Sequence, residues 1–386
     1  MKLLKKIKID SWFFLAFLLF IISNPGYIWH THILAIAVFI FFGVLYIKKE
    51  INAPSLSLGL LFLLIYSYFI LSTDASVIGM IVMAPVVLLF FLDKKALCGL
   101  IDSYSLLLAL LLVPSILQFV LVNYFDISFP YYTISPYDTG GRDFDYRLYW
   151  FFVQDDRTTL FIPRFYSYFD EPGVLGTLAT IILYTRKYNL REKENLIIFI
   201  GGLLTLSFFF IIMSLVYLAL FTEKKKYGFI GLIVVLLAYL YLQTNPLFEG
   251  FLNRFTIEDG RIAGDHRVSE DFNYWYYHSF ISSPDFWFGA GDGTAAIRDE
   301  GGSSYAHIIV DYGVVFFVIY IATLILYAIR KIGLNKYFFI WLLPFVGCMY
   351  QRPFMLHIEY VFFWLAPIYY LSCTMKQKIV TKRNVN

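Results

Sequence analysis

Two stretches of this chain carry residues able to grip an anion and move a proton. The first reads Arg164-Phe165-Tyr166-Ser167-Tyr168-Phe169-Asp170-Glu171-Pro172-Gly173-Val174-Leu175-Gly176. Pro172 sits where a helix begins, directly before an apolar run, and proline is favoured in a first helical turn. Acids beside that turn are stabilised by the helix dipole by about 0.3–1 kcal/mol, which is one sufficient reason for Asp170 and Glu171. The other is chemical: a carboxylate facing Arg164 at the start of an apolar segment can orient a hydroxyl or accept its proton. The residues alone leave both readings open.

The second stretch holds Gly264-Asp265-His266-Arg267, then Trp275-Tyr276-Tyr277-His278 and Phe286-Trp287-Phe288-Gly289-Ala290-Gly291-Asp292-Gly293-Thr294. It closes with Gly301-Gly302-Ser303-Ser304-Tyr305-Ala306-His307 and runs into Asp311-Tyr312-Gly313. His307 opens an apolar helix, where it either bonds a backbone carbonyl or serves as a base. The run Gly289–Gly293 resembles a phosphate loop only in its glycines. It lacks GxxxxGK[ST] and a βαβ context, so no nucleotide site is expected. The six histidines show no HxxxH or HExxH spacing. Cys98, Cys348 and Cys373 lie in or beside apolar runs, so neither a disulfide framework nor a metal centre is expected.

The elements that must carry these residues are apolar. The 386 residues are 59% hydrophobic and only 15% charged, with mean hydropathy +0.67, well below the charge of about 25% that a water-exposed domain carries. Apolar runs of near-membrane length recur at roughly 11–23, 28–47, 55–72, 77–92, 100–122, 173–184, 196–221, 229–242, 306–329, 337–349 and 358–371. This predicts an all-α polytopic membrane protein. The basic start and apolar first run read as a retained first helix, because Asn24-Pro25-Gly26 is a turn rather than a small-residue cleavage site.

Charge orients the chain. Read as one pass, Leu196–Phe221 would put Glu223-Lys224-Lys225-Lys226 and the lysine-rich end of the chain outside, against the tendency of cytoplasmic loops to hold the basic residues. Read as a tight hairpin breaking near 206–214, it restores every later loop. That gives about 12 passes with both termini cytoplasmic. The segments are then transmembrane helices over 1–122, a long outer loop over 123–172, central helices with the hairpin over 173–242, a second outer loop over 243–305, and the last helices and tail over 306–386. Both outer loops are expected to bear short helices, since structureless connections of that length are rare in compact proteins.

On this layout 22 of the 31 basic residues face inward, and all the lysines are among them. The nine that face outward are Arg142, Arg147, Arg157, Arg164, Arg254, Arg261, Arg267, Arg298 and Arg352. Salt bridges within acidic loops account for some. Guanidinium forks also grip phosphate and carboxylate in a bidentate way that ammonium cannot, and a lipid diphosphate at the outer leaflet is the anion such a set would meet. Trp275 and neighbouring tyrosines suit sugar faces and suit an interfacial belt equally. The first loop has 4 arginines against 8 acids, so it offers no nucleic-acid groove.

With those residues in view, Arg164…Phe169-Asp170-Glu171-Pro172-Gly173…Gly176 resembles the R…F.EPG…G signature of bacterial O-antigen and capsule repeat-unit polymerases of the Wzy type. Leu204-Thr205-Leu206-Ser207 resembles their LTLS segment. Arg267…Trp275…Pro284…Phe288-Gly289-Ala290-Gly291, with Ser304…His307…Asp311-Tyr312-Gly313, resembles a pattern they share with O-antigen ligases. The resemblance covers roughly 164–313, plus hydropathy throughout. It implies a GT-C-like, metal-independent glycosyltransferase without cofactor, acting on undecaprenyl-diphosphate-linked oligosaccharide to build lipopolysaccharide or capsule. A chain-length regulator and a flippase of the same pathway are the implied partners. By motif position Arg164, Glu171, Arg267 and His307 carry the chemistry. Arg142, Arg147, Arg157, Asp170, Arg254, Arg261, Trp275, Arg298 and Arg352 are the candidate substrate contacts. Ala306 stands where the ligase pattern has asparagine, which leaves the base open between His307 and Glu171. The alternatives are an O-antigen ligase and, in another class, a polysaccharide flippase or transporter. Transport would place Asp102, Asp311 or Glu359 at mid-membrane depth along a channel.

Overall fold

The computed structural model describes residues 11–22, 32–47, 57, 61, 64, 87–135, 145–155, 163–222, 230, 233, 257–258, 261–262, 269–291, 293–298, 305–351 and 358–383. Nearly all of the expected spans at 55–72 and 229–242, and most of that at 77–92, lie outside these residues. The described chain is mostly helical. Among the described residues two helices are long and apolar enough to cross a membrane: α3, Lys94–Tyr124, and α10, Tyr305–Ile332. The others are α1 (Ser11–Ile22), α2 (His32–Val44), α4 (Pro172–Thr185), α5 (Lys193–Leu204), α6 (Phe208–Phe221), α11 (Lys336–Gln351) and α12 (Ile358–Arg383), with α7 to α9 in the second loop.

Helix α4 is the central element. Its residues are almost all buried, and its polar ones are satisfied locally: Thr177, Thr180 and Thr185 each donate to the carbonyl four residues earlier, at 2.7–2.8 Å. A helix that is apolar on every side is one surrounded by other helices. Around it lie α5, α6, α11 and α12.

The stretch at 196–221 does turn back. Helix α5 ends at Leu204 and α6 starts at Phe208, with Leu206 at φ +50° between them. The Phe199 and Phe210 rings stand 5.9 Å apart, where a continuous helix would separate these residues by about 16 Å along its axis. The Tyr184 hydroxyl near the end of α4 donates to the carbonyl of Met213 on α6 (2.7 Å), and Tyr188 stacks on Tyr217. Both outer ends of the hairpin, Lys193 and Phe221, therefore lie at the same end of the bundle. The break falls at 205–207, at the start of the expected window.

That end collects the described lysines. Arg186, in the α4–α5 turn, pairs with Asp102 of α3 and Glu192, and Tyr370 of α12 donates to the same Asp102 at 3.3 Å. Asp102 thus belongs to an ionic clamp at this end of the bundle. Lys187 lies over the Tyr337 ring, and Lys331 over Tyr327 and Tyr369. Close by, the Cys98 and Cys373 sulfurs approach to 3.4 Å across α3 and α12 as free thiols. Copper-phenanthroline treatment is expected to join them. The disulfide should appear as a faster, reducible band on gels that Cys98→Ser removes. A persistently uncross-linked chain would contradict the pairing of α3 with α12.

The first loop departs from expectation. Instead of short helices, its described part forms a three-stranded antiparallel sheet: β1 (Tyr132–Ile134), β2 (Tyr146–Leu148) and β3 (Val153–Asp155). Aromatic and β-branched residues favour strands, but segments of 3 residues are too short to display an alternation. Tyr146 and Val153 bury one face of the sheet against Tyr166. Asn123 and Gln154 exchange amide hydrogen bonds (3.0 and 3.3 Å) and fasten β3 to the end of α3. The second loop does bear short helices, α7 (Glu270–Trp275), α8 (Asp285–Phe288) and α9 (Thr294–Arg298), together with a small hairpin, β4 (Ile257–Glu258) and β5 (Arg261–Ile262).

Candidate active site

The segment 163–171 is held in irregular backbone by its surroundings. Phe165 and Phe169 are fully buried, one against Phe119 and the other against Phe20. Ser167 adopts φ +54°, a left-handed conformation that costs a non-glycine residue on the order of 1–3 kcal/mol. Two bonds hold it there: its carbonyl accepts from Val153 N at 2.6 Å, and its hydroxyl accepts from Ser115 Oγ at 3.2 Å. The Tyr146 hydroxyl donates to the Asp170 carbonyl at 2.9 Å, and Tyr166 donates to the Asp155 carboxylate. The alternation that results leaves Arg164, Tyr168, Asp170 and Glu171 half-buried while their neighbours fill the core.

This segment docks on the hairpin tip. Phe165 N donates to the Leu204 carbonyl and Arg164 Nε to the Thr205 carbonyl, both at 3.1 Å. The second bond fixes the plane of the guanidinium. At the same tip, a Cβ on Gly176 would stand 2.6 Å from Ser207 Cβ, so only glycine lets α4 approach this closely. Thr205 closes the turn by donating to Gly202 O at 2.6 Å and accepting from Ser207 N at 3.1 Å. Arg164, Gly176 and the Thr205–Ser207 turn thus meet at one place, although about 40 residues separate the arginine from the turn.

Glu171 occupies the cap position of α4 with extended backbone, and Pro172 follows at the first helical position. Its carboxylate makes no capping hydrogen bond, so capping does not explain its identity. Burial pushes the Tyr168 phenol up to about 12, which keeps it protonated and removes it from the candidate bases at neutral pH.

The second-loop residues form another group. Trp275 and Arg298 come together, the guanidinium carbon 4.2 Å from the indole centroid. His307 lies against Phe272, ring centroids 4.8 Å apart, and Phe272 in turn contacts Trp275. Tyr276, in the same cluster, has its phenol pushed up to about 12 by burial. Asp311 Oδ1 accepts from Ala295 N at 2.8 Å and so satisfies a donor in the first turn of α9; that contact gives it a structural role. Gly289 and Gly313 cross backbone to backbone: Ala290 N and Gly291 N donate to the Val310 and Asp311 carbonyls (2.7 and 3.2 Å). Gly313, at φ +85° and ψ 157°, breaks α10 into two pieces at this crossing.

The remaining candidates are distributed differently. Arg147 lies on β2 with its guanidinium 5.4 Å from the Tyr131 ring. Arg261 is on β5, paired with Glu258 in strand register. Arg142, Arg157, Arg254, Arg267 and Arg352 lie outside the described residues, as does the side chain of Glu359. Residues that the sequence reading did not single out are Ser115 and Gln118, which brace the first loop from α3. Gln118 Oε1 accepts from Phe151 N at 2.9 Å. Their only sequence signal was polarity within an apolar run. Among the described residues no group of three or more histidine, cysteine or acidic side chains could hold a metal ion.

Comparison with known proteins gives no match: no family model, no curated protein and no solved structure aligns with this chain.

Proposed function

We propose that the chain is a multi-pass membrane glycosyltransferase. It joins undecaprenyl-diphosphate-linked oligosaccharide repeat units into a surface polysaccharide at the outer face of the bacterial inner membrane. The observation that carries this reading is the docking of Arg164 and Gly176 on the Thr205–Ser207 turn. Two motif segments far apart in sequence, each singled out by its resemblance to the polymerases, meet in space. The gathering of described lysines at the opposite end supports the orientation.

In the reaction, a hydroxyl on one lipid-linked unit attacks the anomeric carbon of the growing chain. The glycosidic C–O bond forms, the C–O bond to the diphosphate breaks, and the hydroxyl proton passes to a base. Arg164, with the other outward arginines, stabilises the negative charge that develops on the diphosphate. Glu171 or His307 takes the proton. No metal or cofactor enters this scheme.

The glycan ladder of a strain lacking this protein tests the reading. A single repeat unit on its acceptor marks lost polymerisation, and accumulation of unattached polymer marks a ligase instead. The orientation has its own check. In a background free of native cysteines, single cysteines at Lys193 and Thr222 are expected to react with an impermeant maleimide only from the cytoplasmic side. Labelling of the two from opposite faces would overturn the hairpin topology.

A further inference from the structure

At the lysine end, α6 and α11 part to leave an open groove of about 580 Å³. Leu220, Phe221, Phe339 and Leu343 supply its apolar wall, and Asn335 and Lys336 stand at its rim. The Lys336 ammonium is 5.9 Å from the Tyr337 ring centroid, and Lys187, from the α4–α5 turn, is 4.8 Å from the same ring. Two cations from separate elements therefore converge on one aromatic beside an apolar trough. Asn335 is committed to the helix start, donating to Ile332 O at 2.6 Å and accepting from Tyr337 N at 2.8 Å.

We infer that this groove is a binding site for an acidic glycerophospholipid, its acyl chain lying along Leu220, Phe221, Phe339 and Leu343 and its phosphate held by Lys336 and Lys187. The charge selects the occupant. An apolar trough alone accepts any acyl chain, but a zwitterionic headgroup carries its own cation to the two ammonium groups and loses the net attraction that an anionic one keeps. Each basic residue near a membrane surface favours an acidic lipid by about fivefold, so removing two is expected to weaken binding about thirtyfold. The site uses the membrane reading but not the transferase reading, and its failure leaves polymer synthesis untouched.

Native mass spectrometry of the purified full chain tests it, with dioleoyl phosphatidylglycerol, dioleoyl phosphatidylcholine and undecaprenyl monophosphate as probes. One phosphatidylglycerol should be retained in preference to phosphatidylcholine. The K187Q/K336Q double variant should need about thirtyfold more lipid for equal occupancy, K336R should behave as the parent, and Leu343→Trp, which fills the trough, should lose the adduct. Gel filtration reports whether each variant is folded. Equal retention of phosphatidylcholine, unchanged binding in the folded double variant, or retention of undecaprenyl monophosphate alone would overturn the assignment.

Discussion

Arg164→Ala is expected to abolish polymer and leave single repeat units, while the protein still inserts and purifies as a folded species. A preorganised donor aimed at developing charge is worth on the order of 10²–10³ in rate, and the whole of that is lost with the side chain. The guanidinium is oriented by its Nε bond to the Thr205 carbonyl at 3.1 Å. Arg164 could instead be only a clip between the 163–171 segment and the hairpin. Lysine separates the two roles. An ammonium can still donate to the Thr205 carbonyl, but it cannot grip a diphosphate with two parallel bonds. Arg164→Lys is therefore expected to match the parent in yield and thermal stability and still to lack the ladder. Full-length ladders from either variant would remove Arg164 from the chemistry.

Gly289→Ala and Gly313→Ala are expected to be the most destabilising single methyl additions in the described chain. A Cβ on Gly289 would stand 2.3 Å from the Asp311 carbonyl oxygen, and one on Gly313 would stand 2.4 Å from the Trp287 carbonyl oxygen. Both neighbours are backbone, so neither clash is relieved by a rotamer change. Both glycines also adopt positive φ, +91° and +85°, with ψ near 155°. That region is nearly closed to other residues at a cost of about 1–3 kcal/mol. Adding overpacking of similar size, each substitution should cost about 3 kcal/mol or more. The loss should appear as a lower midpoint in thermal unfolding in detergent. Because the crossing seats Asp311 against α9 and positions the start of α10, the ladder should fall with it. An alanine variant that melts like the parent would show that the crossing is looser than described.

The sequence and the structure agree where charge or turn chemistry was strong. The hairpin followed from the placement of Lys224–Lys226, and its tip lies at Thr205–Ser207. Pro172 opens its helix as expected. Helix α3 begins at Lys94, earlier than the apolar run that announced it, because a helix continues through charged residues once their side chains reach the polar end of the bundle. The sheet of the first loop was hidden because three strands of 3 residues each take their register from contacts with Tyr166 and Asn123 rather than from local pattern. The Gly289–Gly313 crossing was invisible for a related reason: each glycine reads as a loop residue, and only the other segment makes it obligatory. Asp311, weighed as a marker of transport, instead hydrogen-bonds the start of α9. In the candidate site, Arg164, Asp170 and Glu171 were legible as a group by adjacency. The Trp275–Arg298 contact joins residues more than 20 apart, and nothing in their spacing announced it.

The most direct measurement reconstitutes the purified chain in liposomes with a lipid-diphosphate-linked repeat unit as the sole glycan, without nucleotide sugar or added metal. Products of two or more units should accumulate, with one polyprenyl diphosphate released for each linkage formed and none from Arg164→Ala. A folded, inserted protein that leaves every unit at its starting length and releases no diphosphate would contradict the account.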